Sequence, residues 1–279
     1  MITLRELLRA STPASDVETR HEAELLLMHV LGRTRAWLFA NGGSNVDAAA
    51  QMRFAQLLQL RREGRPIAYL IGHRGFWTLD LDVDANVLIP RADTELLVEL
   101  ALERIALDCD CAIADLGTGS GAIALALASE RPRARVLASD ISHSALEVAR
   151  ANAARLGIGN VDFACADWYE ALNDRAVDVI VSNPPYIAAD DDHLGRGDLR
   201  FEPSIALASG GDGLDALRRI IAQAPTHLHD RGWLLLEHGF NQGEAVRALL
   251  AAAGFVSIAT SRDLAGHERV SFAQCCGAT

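Results

Sequence analysis

From residue 91 onward, short apolar runs alternate with longer stretches of helical spacing. Strands are predicted at 112–116, 135–140, 161–164, 177–182, 232–237 and 255–260, with a last one over 270–273. Helices are predicted between them at 121–128, 144–156, 214–228 and 242–252. The strands are near-continuous apolar runs, as expected where a sheet is covered on both faces. Their alternation with helices predicts a mainly parallel α/β sheet.

Residues 1–74 behave differently. Leu4, Leu7 and Leu8 recur at helical spacing, as do Ala23, Leu26, Leu27, Val30 and Leu31, with Gly32 placed as a stop. Another helix is predicted over 48–62, ended by Gly64 and Pro66. Helix follows helix with no strand pattern, so a small bundle is expected. Residues 75–90 include FWTLDLDVDANVLIP, in which Leu79, Leu81 and Val83 share one face and Asp84-Ala85-Asn86 offers a turn before Val87 and Leu88. A β-hairpin is expected there, linking a 1–74 helical domain to a 91–279 α/β domain.

Composition narrows the function classes. The 279 residues are 50% hydrophobic and carry a net charge of −11, from 26 basic and 37 acidic side chains. A protein that held a duplex by its phosphates would show a basic surplus, so nucleic acid is disfavoured as the main partner. Arg61, Arg62 and Arg65 read as a solvated helix end. No apolar run reaches transmembrane length and the N-terminus does not read as a signal peptide, so a cytoplasmic protein is expected. The five cysteines include no C-x-x-C pair, and of the nine histidines His227 and His229 are too few for a metal site, with no local carboxylates at ligand spacing. Reduced thiols and no metal site are expected. His238 reads as a satisfied structural residue, and the Asp190-Asp191-Asp192 run as a solvated loop.

Chemistry enters at two places. Asp115-Leu116-Gly117-Thr118-Gly119-Ser120-Gly121 follows the first strand of the α/β region and opens a helix. Glycines there let the backbone turn sharply and approach a ligand, and free N–H groups at the helix start are expected to face it. Asp140 closes the next strand, where a carboxylate accepts hydrogen bonds from both hydroxyls of a ribose. A nucleoside-bearing cofactor follows, but not its identity: Gly117, Gly119 and Ala122 also satisfy the dinucleotide fingerprint, which keeps a nicotinamide enzyme in play.

Asn183-Pro184-Pro185-Tyr186 follows the strand at 177–182. Two prolines in succession fix φ and remove two backbone donors, leaving a stiff corner with accepting carbonyls. Asn183 adds a side-chain acceptor and a donor, and Tyr186 a flat face. An amide nitrogen is a poor nucleophile, and a site that methylates it needs two N–H acceptors and a rigid in-line approach. The Asn183 side-chain oxygen and the Pro184 carbonyl meet the first need, and Tyr186 would hold the plane.

The two motifs together resemble the class I S-adenosylmethionine methyltransferases that act on planar nitrogens, namely N6-adenine and protein-glutamine enzymes. RPIAYLIG (65–72), LIPRADTELLVE (88–99), SNPPYI (182–187), RFEPSIALASGGDGLDALRRII (200–221) and LLLEHG (234–239) extend the resemblance to the bacterial release factor members of the protein-(glutamine-N5) methyltransferase family. It runs from about Leu4 to Phe272. It implies a Rossmann-like methyltransferase sheet with a small helical N-terminal domain that grips the release factor.

The same resemblance assigns roles. S-adenosylmethionine would contact Gly117, Thr118, Gly119, Ser120 and Gly121 through its methionine part, Asp140 through its ribose, and Asp167 and Trp168 through its adenine. Asn183 would touch cofactor and substrate, with Pro184, Pro185 and Tyr186 completing the acceptor pocket; Asn183, Pro184 and Tyr186 are the implied catalytic residues. Arg91 and Thr94 match a segment near the cofactor, and Ala92 stands where relatives often have proline. Glu202 receives no role. The implied acceptor is the glutamine of a Gly-Gly-Gln motif in class 1 release factors, methylated by a monomer without need of nucleic acid or membrane. A ribosomal-protein glutamine or a flipped adenine remains an alternative acceptor.

Overall fold

The computed structural model describes residues 2–11 and 17–276. The outermost residues of the two predicted domains, together with 12–16, lie outside the described residues. The chain forms two compact units, Met1–His73 and Arg74–Thr279. No helix among the described residues is long and apolar enough to cross a membrane.

The first unit is helical: α1 (Leu4–Ser11), α2 (Val17–Leu31), α3 (Arg35–Ala40), α4 (Ala48–Arg62) and α5 (Ile67–Ile71). Leu4, Leu26, Leu27, Leu38, Phe54 and Leu58 meet in its core. Asp47 caps α4 by accepting the Ala50 N–H at 2.9 Å, and Gly32 ends α2 at a φ of +61°. The buried Glu24 is matched by Arg20 and Arg35 at 3.3 and 2.8 Å. Arg61, read as part of a solvated helix end, pairs with Glu22 at 2.6 Å.

A two-stranded hairpin, β1 (His73–Phe76) and β2 (Leu79–Asp82), comes next in the chain. The hairpin expected within 75–90 is therefore displaced. Its turn lies at Trp77 and Thr78, and 87–88 is not a strand. Asp84 does form a turn, accepting the Asn86 and Val87 N–H groups. No ladder continues from it, because the Ile89 N–H goes to Glu202 Oε2 at 3.2 Å and Pro90 has no N–H to give.

The rest of the second unit runs α6 (Glu95–Leu102), β3 (Ala112–Leu116), α7 (Ala122–Glu130), β4 (Arg135–Asp140), α8 (His143–Leu156), β5 (Val161–Cys165), β6 (Val177–Ser182), α9 (Asp215–His227), β7 (Leu228–Glu237), α10 (Gly243–Ala252), β8 (Val256–Arg262) and β9 (Glu268–Gln274). The seven strands are ordered β5-β4-β3-β6-β7-β9-β8. The first five are mutually parallel, and β9 is antiparallel to both β7 and β8. Separate apolar clusters cover the two faces, one built on α6 and α7 and the other on α9 and α10. The chain runs outward from β3 to β5 and then returns to β6. The central β3–β6 pair is thus the point where strand order reverses, and the C-terminal strand edge beside it is where open α/β sheets bind ligands.

Candidate functional site

The glycine loop leaves β3 at that reversal point. Gly117, Gly119 and Gly121 all hold positive φ, at +76°, +57° and +86°. At Gly117 a Cβ would sit 3.4 Å from the Trp168 ring, so its absence lets loop and indole approach closely. The loop's N–H groups are less free than the sequence suggests. Those of Gly117 and Thr118 donate to the Ser139 carbonyl, that of Gly119 to Asp140 Oδ2 at 2.9 Å, and that of Gly121 to the Thr118 carbonyl.

Two predicted loop residues face inward. The Thr118 hydroxyl donates to the buried Asp115 Oδ2 at 2.7 Å, and the same oxygen accepts the Ala124 N–H at 3.1 Å. Burial pushes the Asp115 carboxyl up to about 7. Ser120 is buried, and its carbonyl accepts from Asn152 Nδ2 at 3.0 Å. Asn152 also bonds both the N–H and the carbonyl of Asp82, so one fully buried amide ties α8, β2 and the glycine loop together. Asn152→Ala strands those partners and is expected to destabilise the second unit by about 1–3 kcal/mol, read from a urea melt.

Asp140 ends β4 beside the loop. Its Oδ1 accepts the Ser142 N–H at 2.8 Å and its Oδ2 the Gly119 N–H at 2.9 Å. Burial raises its affinity for a proton, and those backbone bonds work against the rise. After β5, Asp167 accepts from Arg219 at 2.8 Å and caps the following turn, while Trp168 holds a φ of +49°.

A cavity of about 330 Å³ joins these groups. Gly117, Gly119, Asp140, Asp167 and Trp168 line one part of it, and Asn183, Pro184 and Pro185 another. Thr118, Ser120, Gly121 and Tyr186 do not line it. Two apolar walls, Ile141 and Ile205, escaped the sequence reading although they stand 54% and 59% exposed. Their one signal in the sequence is adjacency, Ile141 to Asp140 and Ile205 to the FEP turn.

The proline corner is held from behind. Asn183 Nδ2 donates to the buried Thr94 Oγ1 at 3.1 Å. The Tyr186 hydroxyl donates to Glu237 Oε1 at 3.2 Å, and the Tyr186 carbonyl accepts from Gln242 Nε2 at 3.0 Å. Glu202, whose role the sequence left open, is buried, pairs with Arg91 and takes the Ile89 N–H, so it pins the segment leading to Thr94. Gly213 packs against the corner: with φ at +76°, its Cβ would lie 2.3 Å from the Tyr186 carbonyl oxygen. Gly213→Ala is therefore expected to shift the corner and lower turnover by on the order of tenfold, with binding in the rest of the cavity retained. Steady-state kinetics beside calorimetry checks it.

Two further candidates make structural contacts. His238 is buried and its two ring nitrogens meet the Gly239 carbonyl and the Ser271 hydroxyl, each at 2.9 Å. Asp191 caps its own turn through the His193 N–H. Among the described residues no group of His, Cys, Asp and Glu is arranged to hold a metal ion.

Residues 92–198 match the Methyltransferase small domain family and residues 5–72 the PrmC N-terminal domain family. The release factor glutamine methyltransferase of Xylella fastidiosa is 55% identical over 92% of this chain and 94% of its own length. That of Pseudomonas aeruginosa is 50% identical over 98% of this chain and 99% of its own. A methyltransferase from Pyrococcus furiosus shares the fold, with a TM-score of 0.54 at 18% identity over 72% of this chain and 91% of that one. With a cavity that joins a glycine loop to an Asn-Pro-Pro corner, and relatives matched along almost its whole length, the chain belongs to the release factor glutamine methyltransferase family.

Proposed function

We propose that this chain transfers the methyl group of S-adenosylmethionine to the side-chain amide nitrogen of the glutamine in the Gly-Gly-Gln motif of class 1 translation release factors. The observation that supports it most is that Asn183, Pro184 and Pro185 border the same cavity as Gly117, Gly119 and Asp140. A methyl donor and a planar acceptor need one shared space, and this is one.

The residues present fit the cofactor. A cavity of about 330 Å³ lies within the range of small-molecule sites. Asp140 Oδ1 and Oδ2 accept the Ser142 and Gly119 N–H groups and border the cavity, where a ribose hydroxyl can reach them. Trp168 and Ile141 offer flat and apolar surface to a purine, and the bare Cα of Gly119, with nothing within 4 Å of where a Cβ would stand, leaves room for the methionine part. When bound, S-adenosylmethionine supplies an electrophilic methyl group on a sulfonium.

The protein's own part is positioning. Asn183 Oδ1 and the Pro184 carbonyl accept the two amide hydrogens and so fix both the plane and the direction of the nitrogen lone pair. Two prolines keep those acceptors from relaxing away, and Tyr186 completes the acceptor side, its hydroxyl anchored on Glu237. The amide proton becomes strongly acidic once the nitrogen is alkylated, so it leaves by an accepting oxygen to water and no strong base is required. The helical unit of residues 1–73 is assigned to binding the release factor, and the reaction to the cytoplasm.

Incubation with labelled S-adenosylmethionine and, in parallel, a class 1 release factor, ribosomal proteins and duplex DNA tests this. Label is expected in the release factor. Label confined to ribosomal protein or to DNA would replace the acceptor, and binding of NADH in preference to S-adenosylhomocysteine would replace the chemistry.

A further inference from the structure

We propose that Gln242 is a positioning residue of the acceptor corner: its side-chain amide, carried at the start of α10, fixes where the Tyr186 end of the corner stands. The proposal rests on the methyl-transfer reading above and names a residue that this reading does not place against substrate or cofactor.

Gln242 holds the N-cap position of α10, yet its side chain caps no N–H of that helix. It reaches three other segments instead. Oε1 accepts the Gly239 N–H at 2.8 Å, in the turn after β7. Nε2 donates to the Tyr186 carbonyl at 3.0 Å, and more weakly to the Asp212 carbonyl at 3.4 Å, in the loop before α9. A side-chain amide has a donor end and an acceptor end, and here the partners at both ends require the same orientation. Turned over, the amide would set its oxygen against two carbonyls and its N–H groups against another N–H.

The corner is sensitive to such a tie because it is stiff. Pro184 and Pro185 fix φ at the two positions between Asn183 and Tyr186, so a push at one end moves the segment rather than bending it. One end is held by the Asn183 amide on Thr94. At the other, the Tyr186 hydroxyl bonds Glu237 from the tip of a ring, whereas the carbonyl that Gln242 grips belongs to the corner's own backbone. The N–H and carbonyl of Ile187 pair with Leu207 and Ser209, which joins the corner to the loop running on to Asp212. Gln242 therefore grips both partners of that pairing and fastens them to α10.

That helix is a firm support, since Val246 and Leu250 are fully buried in the apolar cluster on its face of the sheet. Gly213 leaves the space for the contact: a Cβ there would lie 2.8 Å from Gln242 Nε2. Asn183 Oδ1 and the Pro184 carbonyl must meet two amide hydrogens at once, so a small displacement of the corner lowers the rate of transfer more than it weakens binding.

The test is release factor methylation by wild type, Gln242→Met and Gln242→Glu, with S-adenosylhomocysteine titrated by calorimetry and folding followed in urea. Methionine keeps the length of the side chain and removes both polar ends. Glutamate keeps the acceptor for Gly239 and sets a second oxygen against the Tyr186 and Asp212 carbonyls. We expect kcat to fall by on the order of tenfold in Gln242→Met and 10- to 100-fold in Gln242→Glu, while the KM for release factor and the affinity for S-adenosylhomocysteine stay within about threefold. A kcat for Gln242→Glu within about threefold of wild type, or a loss carried by KM alone, overturns the proposal. Should Gln242→Glu fail to fold, Gln242→Met decides by the same criterion. An active wild type with indifferent variants overturns the positioning role alone. A wild type that methylates no release factor overturns the reading beneath it and the positioning role together.

Discussion

Asn183→Ala is expected to lower kcat for release factor methylation by about 100- to 1,000-fold while leaving the dissociation constant for S-adenosylhomocysteine within about threefold. The split between the two follows from the geometry. Asn183 is anchored by its donor end on Thr94 and lines the cavity together with Asp140, Gly117 and Gly119, the residues proposed for the cofactor. Alanine removes the oxygen that would hold one amide hydrogen and leaves the Pro184 carbonyl to hold the other alone. The nitrogen then samples many directions, and only a small fraction leads to in-line transfer. Kinetics at saturating cofactor, paired with calorimetry on the same preparation, checks both halves. A variant that turns over normally would mean the corner does not perform the positioning assigned to it.

Asp140→Ala should show the opposite pattern, losing cofactor affinity rather than the transfer step. A hydrogen bond to a charged group contributes about 1.5–3 kcal/mol, so losing the carboxylate is expected to weaken S-adenosylhomocysteine by roughly 10- to 150-fold. The substitution also leaves the Gly119 and Ser142 N–H groups without their acceptor, which loosens the loop as the ligand contact is lost. Asp140→Asn keeps one oxygen and should fall between the two. Calorimetric titration reads the series, and an alanine variant with wild-type affinity would remove Asp140 from the ligand site.

Much of this was legible in the sequence wherever cause and consequence lie close along the chain. The run at 177–182 is apolar because β6 is covered on both faces, and the glycine loop follows β3 because a tight turn there needs positive φ. Short elements left no periodicity to read: α3 has six residues and α5 five. The hairpin was misplaced because its limit depends on Glu202 capturing the Ile89 N–H across 113 positions of chain, which no local pattern contains. The loop N–H groups were expected to face a ligand, yet the Ser139 carbonyl and Asp140 take three of them, a pairing that exists only once β3 and β4 lie side by side. Thr94 and Glu237 escaped notice as anchors of the proline corner for the same reason. One precedes a helix and the other ends a strand, and only the fold brings both to the back of Asn183 and Tyr186.

The most direct measurement is an experimental structure of the protein with S-adenosylhomocysteine at saturating concentration. The ligand is expected between Asp140 and Trp168, its sulfur turned toward Asn183 and the Pro184 carbonyl. A ligand bound elsewhere, or in this cavity with its sulfur directed away from the corner, would contradict the account.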